Sequence, residues 1–126
     1  MEDVEFSPEF CRFIQATIPT VDAAELLLLF HAQPDSAFTL EEAAGRLAPG
    51  VATGEIVKRL EAYCSAGILS RDGSRYRYNT GTPLAGNVER LAQAYQQRPV
   101  TLVRIIYALR DSRIQSFADA FKLRRS

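Results

Sequence analysis

Residues 69–79, Leu69-Ser70-Arg71-Asp72-Gly73-Ser74-Arg75-Tyr76-Arg77-Tyr78-Asn79, constrain the fold more than any other stretch of the chain. Asp-Gly is a hairpin turn signal, and Tyr76 and Tyr78 alternate with arginines at the two-residue period of a strand. Such alternation makes the tyrosines the core face of the second strand in preference to stacking platforms for bases. Just upstream, residues 53–66 place Ile56, Leu60, Tyr63 and Cys64 on one helical face. Glu55, Lys58, Arg59, Ala62 and Ser65 fall on the other, and Gly67 follows as a left-handed C-cap. The local order is helix, glycine, hairpin.

The rest of the chain is helical apart from a short strand expected at Ala37-Phe38-Thr39. In Phe38-Thr39-Leu40-Glu41-Glu42 the threonine and the glutamate three residues on form a capping box, and Leu40, Ala43, Ala44 and Leu47 continue at helical spacing. That helix is expected to end near Pro49-Gly50. Before it, Thr20 is the expected N-cap of an apolar helix through Leu26, Leu27, Leu28, Leu29 and Phe30, which stops ahead of Pro34. Residues 1–19 form an arm in which Phe10, Phe13 and Ile14 fit a short amphipathic helix after Pro8. Beyond Pro83, the residues Leu84, Val88, Leu91 and Tyr95 draw one apolar stripe along a helix. Another helix spans 100–110 after Pro99, and a last amphipathic piece, 114–123, carries Phe117 and Phe121 before a basic end.

Bulk properties narrow the function classes. With 126 residues, 47% of them hydrophobic, the chain has material for one compact domain with appendages. The apolar run 23–30 is too short to cross a bilayer and the N-terminus lacks the basic start of a signal peptide, so a cytoplasmic protein without a membrane partner is expected. Two cysteines, Cys11 and Cys64, and the single histidine, His31, are too few for a disulfide framework or a zinc site. No nucleophile, base and orienting group can be assembled and no glycine-rich phosphate loop precedes a helix, so neither an enzyme nor a cofactor protein is expected. The formal charge is zero, yet residues 1–63 hold 11 acids and 4 bases while residues 64–126 hold 4 acids and 11 bases, a split of −7 and +7. A basic surface on one side can meet phosphates or an acidic partner; the same dipole also arises from solvated faces.

The order helix, short strand, capped helix, helix, glycine, hairpin resembles a winged helix-turn-helix. In particular, Phe38-Thr39-Leu40-Glu41-Glu42-Ala43-Ala44 looks like the opening of its second helix. The segment Ile56-Val57-Lys58-Arg59-Leu60-Glu61-Ala62-Tyr63-Cys64-Ser65-Ala66-Gly67-Ile68-Leu69 resembles the third helix and following turn of bacterial MarR-type and ArsR-type transcription regulators. The resemblance covers about half the chain. It implies a mainly α fold: a winged helix, meaning a three-helix bundle plus a β-hairpin wing, over residues 20–80, with additional C-terminal helices over 84–126 that pack or dimerise. It also implies double-stranded DNA as a partner, with the third helix in the major groove and the wing at phosphates or the minor groove. The residues that map there are Thr53, Glu55, Lys58 and Arg59 on the helix and Arg71, Arg75 and Arg77 on the wing, with Thr53, Lys58, Arg59 and the three wing arginines expected to contact DNA. No Asn, Gln or Arg stands in the first turn of that helix to make bidentate base contacts.

The helices after Pro83 hold more apolar surface than a lone winged helix covers. Leu84, Val88, Leu91, Tyr95, Phe117 and Phe121 are therefore the expected partner or dimer interface of a homodimeric regulator. The competing expectation is a protein-protein interaction module, an adapter that engages another protein through its C-terminal helices.

Overall fold

The computed structural model describes residues 7–47 and 50–110. These are mainly helical, with one small antiparallel sheet, and they divide into two compact units, Asp22–Val88 and Met1–Val21 with Glu89–Ser126. The N-terminal segment and the C-terminal helices fall in the same unit.

The first unit contains α2 (Val21–Ala32), β1 (Ala37–Thr39), α3 (Leu40–Gly45), α4 (Thr53–Ser65), β2 (Leu69–Asp72) and β3 (Arg75–Tyr78). Helix α2 begins directly after Thr20 and ends two residues short of Pro34, as the proline demands. The capping box is present: Thr39 Oγ1 accepts the Glu42 N–H at 3.1 Å, and Glu42 Oε1 accepts the Thr39 N–H at 2.9 Å. Helix α3 is shorter than its apolar spacing suggests. It stops at Gly45, whose backbone entropy disfavours helix, and Arg46 and Leu47 close it with turn bonds to Ala43 and Ala44.

At the end of α4, Gly67 has φ +82°, its N–H donates to the Cys64 carbonyl, and the Ile68 N–H donates to the Tyr63 carbonyl. Those two bonds form the left-handed stop that lets the chain turn sharply into β2. The turn between β2 and β3 consists of Gly73 and Ser74, with Asp72 opposite Arg75 as the last strand pair. Gly73 at φ +63° takes the first central position, the place where a two-residue hairpin needs a residue without Cβ. Strand β1 joins on the far side of β3, giving the order β1-β3-β2 with Phe38 opposite Tyr76.

The core of this unit is aliphatic and aromatic: Leu26, Leu27 and Phe30 from α2, Phe38, Ile56, Leu60, Tyr63, Ile68, Tyr76 and Tyr78 are all buried. Full burial of each aliphatic or aromatic side chain is worth about 1.5–3 kcal/mol, so this cluster dominates the unit's stability. The rings of Phe30 and Phe38 meet edge to face at 5.4 Å, and His31 stands edge-on to Tyr78 at 5.6 Å. Tyr63 is fully buried with its hydroxyl donating to the Ala23 carbonyl at 2.7 Å, which ties α4 to α2. Asn79 fixes the hairpin base: its Nδ2 donates to the Gly67 carbonyl at 2.8 Å and its Oδ1 accepts the Gly81 N–H at 3.2 Å.

The second unit contains α1 (Pro8–Thr17), most of α5 (Ala85–Gln97) and α6 (Pro99–Arg110). Ser7 caps α1 by accepting the Phe10 N–H at 3.2 Å, and Pro8 occupies the first turn where its missing N–H costs nothing. Helix α1 packs on α6, burying Phe10, Phe13, Ile14 and Ile18 together with Leu102, Ile106 and Leu109. No single helix among the described residues is long and apolar enough to cross a membrane.

Candidate nucleic-acid interface

Helix α4 and the hairpin carry all six side chains expected to meet DNA, and β2 packs directly against α4. Thr53 is the first residue of the helix and is exposed; Ala52 before it offers no side-chain cap. Lys58 is exposed too, with its ammonium 3.9 Å from the Glu55 carboxylate, both side chains about 70% accessible. Such a pair on a wet helix face is worth a few tenths of a kcal/mol and breaks readily. Arg59 lies half-buried along the helix, its guanidinium 6.0 Å from the Tyr63 ring centroid. Burial pushes the Tyr63 hydroxyl far above the ordinary tyrosine range, and the Arg59 charge opposes this only in part.

The three hairpin arginines do not form one cationic tip. Residues facing each other across the ladder share a side, so Arg71, opposite Tyr76, lies on the side that holds the buried tyrosines and α4. Its guanidinium stands 5.4 Å from the Tyr76 ring centroid and its Nε donates to the Gly73 carbonyl at 3.0 Å. The Cys64 thiol on α4 registers this: burial pushes it up, the Arg71 charge pulls it down, and Glu61 adds to the rise. A thiol so placed is a poor nucleophile.

Arg75 and Arg77 sit on the outer side of the sheet, opposite Thr39 and Ala37 of β1. Arg75 Nη1 lies 3.2 Å from Glu42 Oε1 and 3.3 Å from the Ala37 carbonyl, and Arg77 Nη2 donates to the Asp35 carbonyl at 3.4 Å. The Thr39 backbone N–H is the main reason that the Glu42 carboxyl is held below its ordinary range; partial desolvation opposes this, and the Arg75 charge assists. Beside this cluster is a shallow cleft of about 430 Å³, flanked by Gln33, Glu41, Arg46 and Arg75, in which Arg46 stands 5.2 Å above the Phe38 ring.

Charge does not single out this unit as a polyanion binder. Residues 22–88 contain six cationic side chains and eight carboxylates, a net of −2. The basic excess of the chain's second half thus lies mostly outside the helix and hairpin expected to touch DNA.

The residues expected at a partner interface separate as well. Val88 and Leu91 are fully buried within the single chain, Leu84 is half-buried, and Tyr95 keeps 36% of its surface. Phe117 and Phe121 lie outside the described residues. Sequence spacing did not mark Val100 and Tyr107 of α6, which stay 65% and 51% exposed one above the other across two turns. Nor did it mark the Glu42–Arg75 bridge, whose partners are 33 residues apart and become neighbours only because β1 pairs with β3.

Searches of protein-family models, of curated proteins and of solved structures find no match to this chain.

Proposed function

We propose that the chain is a winged-helix protein that binds duplex DNA in the cytoplasm as a homodimer and regulates transcription. Helix α4 is the groove-facing helix and β2–β3 the wing. One observation carries this: α4 leaves Thr53, Glu55 and Lys58 exposed, and β2, packed against it, carries an exposed Arg71 on the sheet face towards α4. An exposed helix face next to a hairpin that carries a cation fits a major groove and its flanking phosphates. With a net of −2 over residues 22–88, few phosphates are neutralised, so binding is weak at physiological salt and carried by local contacts.

Fluorescence anisotropy of a labelled random duplex, titrated at low and moderate salt, tests the proposal. Binding at low salt that declines steeply as salt rises is expected, with a further loss on Arg71→Ala. Absence of binding at low salt overturns it.

The exposed Val100 and Tyr107 on α6 favour a second reading, a protein-binding adapter. Loss of a co-purifying protein in Val100→Ser/Tyr107→Ser, with circular dichroism and DNA binding unchanged, supports the adapter.

A further inference from the structure

We infer that Arg75 is a positioning residue that fixes the hairpin against α3, not a phosphate ligand, and that Glu42 is the other half of this device. The inference rests on the DNA-binding reading for its effect on affinity, and on geometry alone for its effect on the hairpin. Thr39 and Arg75 are register partners, so the last residue of β1, which is also the N-cap of α3, faces the first residue of β3. Glu42 Oε1 then accepts from two directions: the Thr39 N–H at 2.9 Å, which closes the capping box, and Arg75 Nη1 at 3.2 Å. The same Nη1 reaches the Ala37 carbonyl at 3.3 Å. One guanidinium therefore links β3 to the start of α3 and to the backbone of β1, at the end of β3 next to the turn.

Arg71 differs in each respect. Its Nε bond to Gly73 is internal to the turn, its terminal nitrogens make no hydrogen bond to the described residues, and it faces the side of α4. A phosphate can take the terminal nitrogens of Arg71 without breaking a hydrogen bond to the described residues. Reaching a phosphate with Arg75 would break the bridge to Glu42 and leave a carboxylate beside the DNA, which repels it.

The sign of one substitution separates the possibilities. If Glu42 is merely an acid near the interface, removing it strengthens DNA binding. If it positions the hairpin, removing it weakens binding although a negative charge is lost.

The experiment uses the full chain and a labelled random duplex, with affinity measured over a range of salt concentrations, plus amide hydrogen exchange of β2 and β3 without DNA. Arg71→Ala is expected to reduce the slope of log affinity against log salt by about one. Arg75→Ala and Glu42→Ala are expected to weaken binding by up to roughly fivefold at every salt with the slope unchanged. The double variant is expected to lose less than the sum of the two single losses, because the bridge is common to both. Hairpin exchange should quicken in Arg75→Ala and Glu42→Ala, recover partly in Arg75→Lys, and stay unchanged in Arg71→Ala. A unit loss of salt slope in Arg75→Ala, tighter binding by Glu42→Ala, or unaltered exchange in Arg75→Ala overturns the inference. If the wild type does not bind DNA while exchange follows the expected pattern, the DNA reading falls and the positioning role stands.

Discussion

Helices α4 and α6 are built on the same amphipathic plan and present opposite chemistry to their surroundings. Both bury a strip of large apolar side chains, Ile56, Leu60 and Tyr63 in one and Leu102, Ile105, Ile106 and Leu109 in the other. On its outer face α4 offers a Glu55–Lys58 pair, whereas α6 offers Val100 and Tyr107 with Arg104 between them. A face of small, mutually compensating charges suits brief encounters governed by salt; a face with exposed apolar area suits a surface that excludes water. The difference puts a charged face and an apolar face on two separate units of one short chain.

Core truncations apply the largest perturbation. Leu60→Ala and Leu102→Ala each delete a fully buried side chain, and each is expected to cost about 2–5 kcal/mol in urea unfolding monitored by circular dichroism. Two separated transitions in one variant, against a single transition in the wild type, would mean that the α4 and α6 units unfold independently. Val100→Gln, on the exposed side of α6, should stay within about 0.5 kcal/mol of wild type in the same assay. A larger loss would show that this face is already covered.

Next in size is the polar anchor of α4. Tyr63→Phe removes the hydroxyl that donates to the Ala23 carbonyl and with it the polar tie between α4 and α2, for an expected loss of about 1–2 kcal/mol. Because burial raises the Tyr63 hydroxyl, the neutral side chain favours the folded state. Its contribution is fully present below the unfolded-state value of about 10 and is lost as pH rises beyond it. Alkaline unfolding curves should therefore flatten in Tyr63→Phe, and tyrosinate absorbance from Tyr63 should emerge only with unfolding.

The backbone stop after α4 ranks close behind. Gly67→Ala forces a Cβ into φ +82°, and although nothing crowds the position, left-handed backbone alone costs about 1–2 kcal/mol. Thermal unfolding measures it directly, and an unchanged midpoint would mean that the turn into β2 relaxes elsewhere.

Legibility in the sequence followed interaction range. The capping box at Thr39 and Glu42, the glycine stop at Gly67, the turn at Gly73 and the buried Tyr76 and Tyr78 depend on neighbours within a few residues or on a simple period, and spacing alone located them. The association of α1 with α6 joins segments some 90 residues apart in the chain, and no spacing signal announces it. The division of the hairpin arginines between two sides needs only strand alternation, since Arg71 stands opposite Tyr76, but that requires the register. The carbonyls and carboxylate that hold Arg75 and Arg77 come from β1, the preceding loop and α3, and no periodic signal announces them.

The smallest expected effect belongs to Glu42, and its sign tests the order of causes at the capping box. Its carboxyl is held below the ordinary range first by the Thr39 N–H and only later by the Arg75 charge. The folded state thus prefers the ionised form, so the contribution is present above the unfolded-state value and is lost as pH falls through the lowered one. Titration of the Glu42 carboxyl by NMR should give a value below that of an unconstrained glutamate. Arg75→Ala should raise it slightly, since the guanidinium is half-exposed and screened, and Thr39→Gly should raise it more by loosening the cap that aims the N–H. The reverse ranking would make the ion pair, not the capping box, the main restraint on Glu42, and would predict that the bridge to the hairpin weakens strongly with salt.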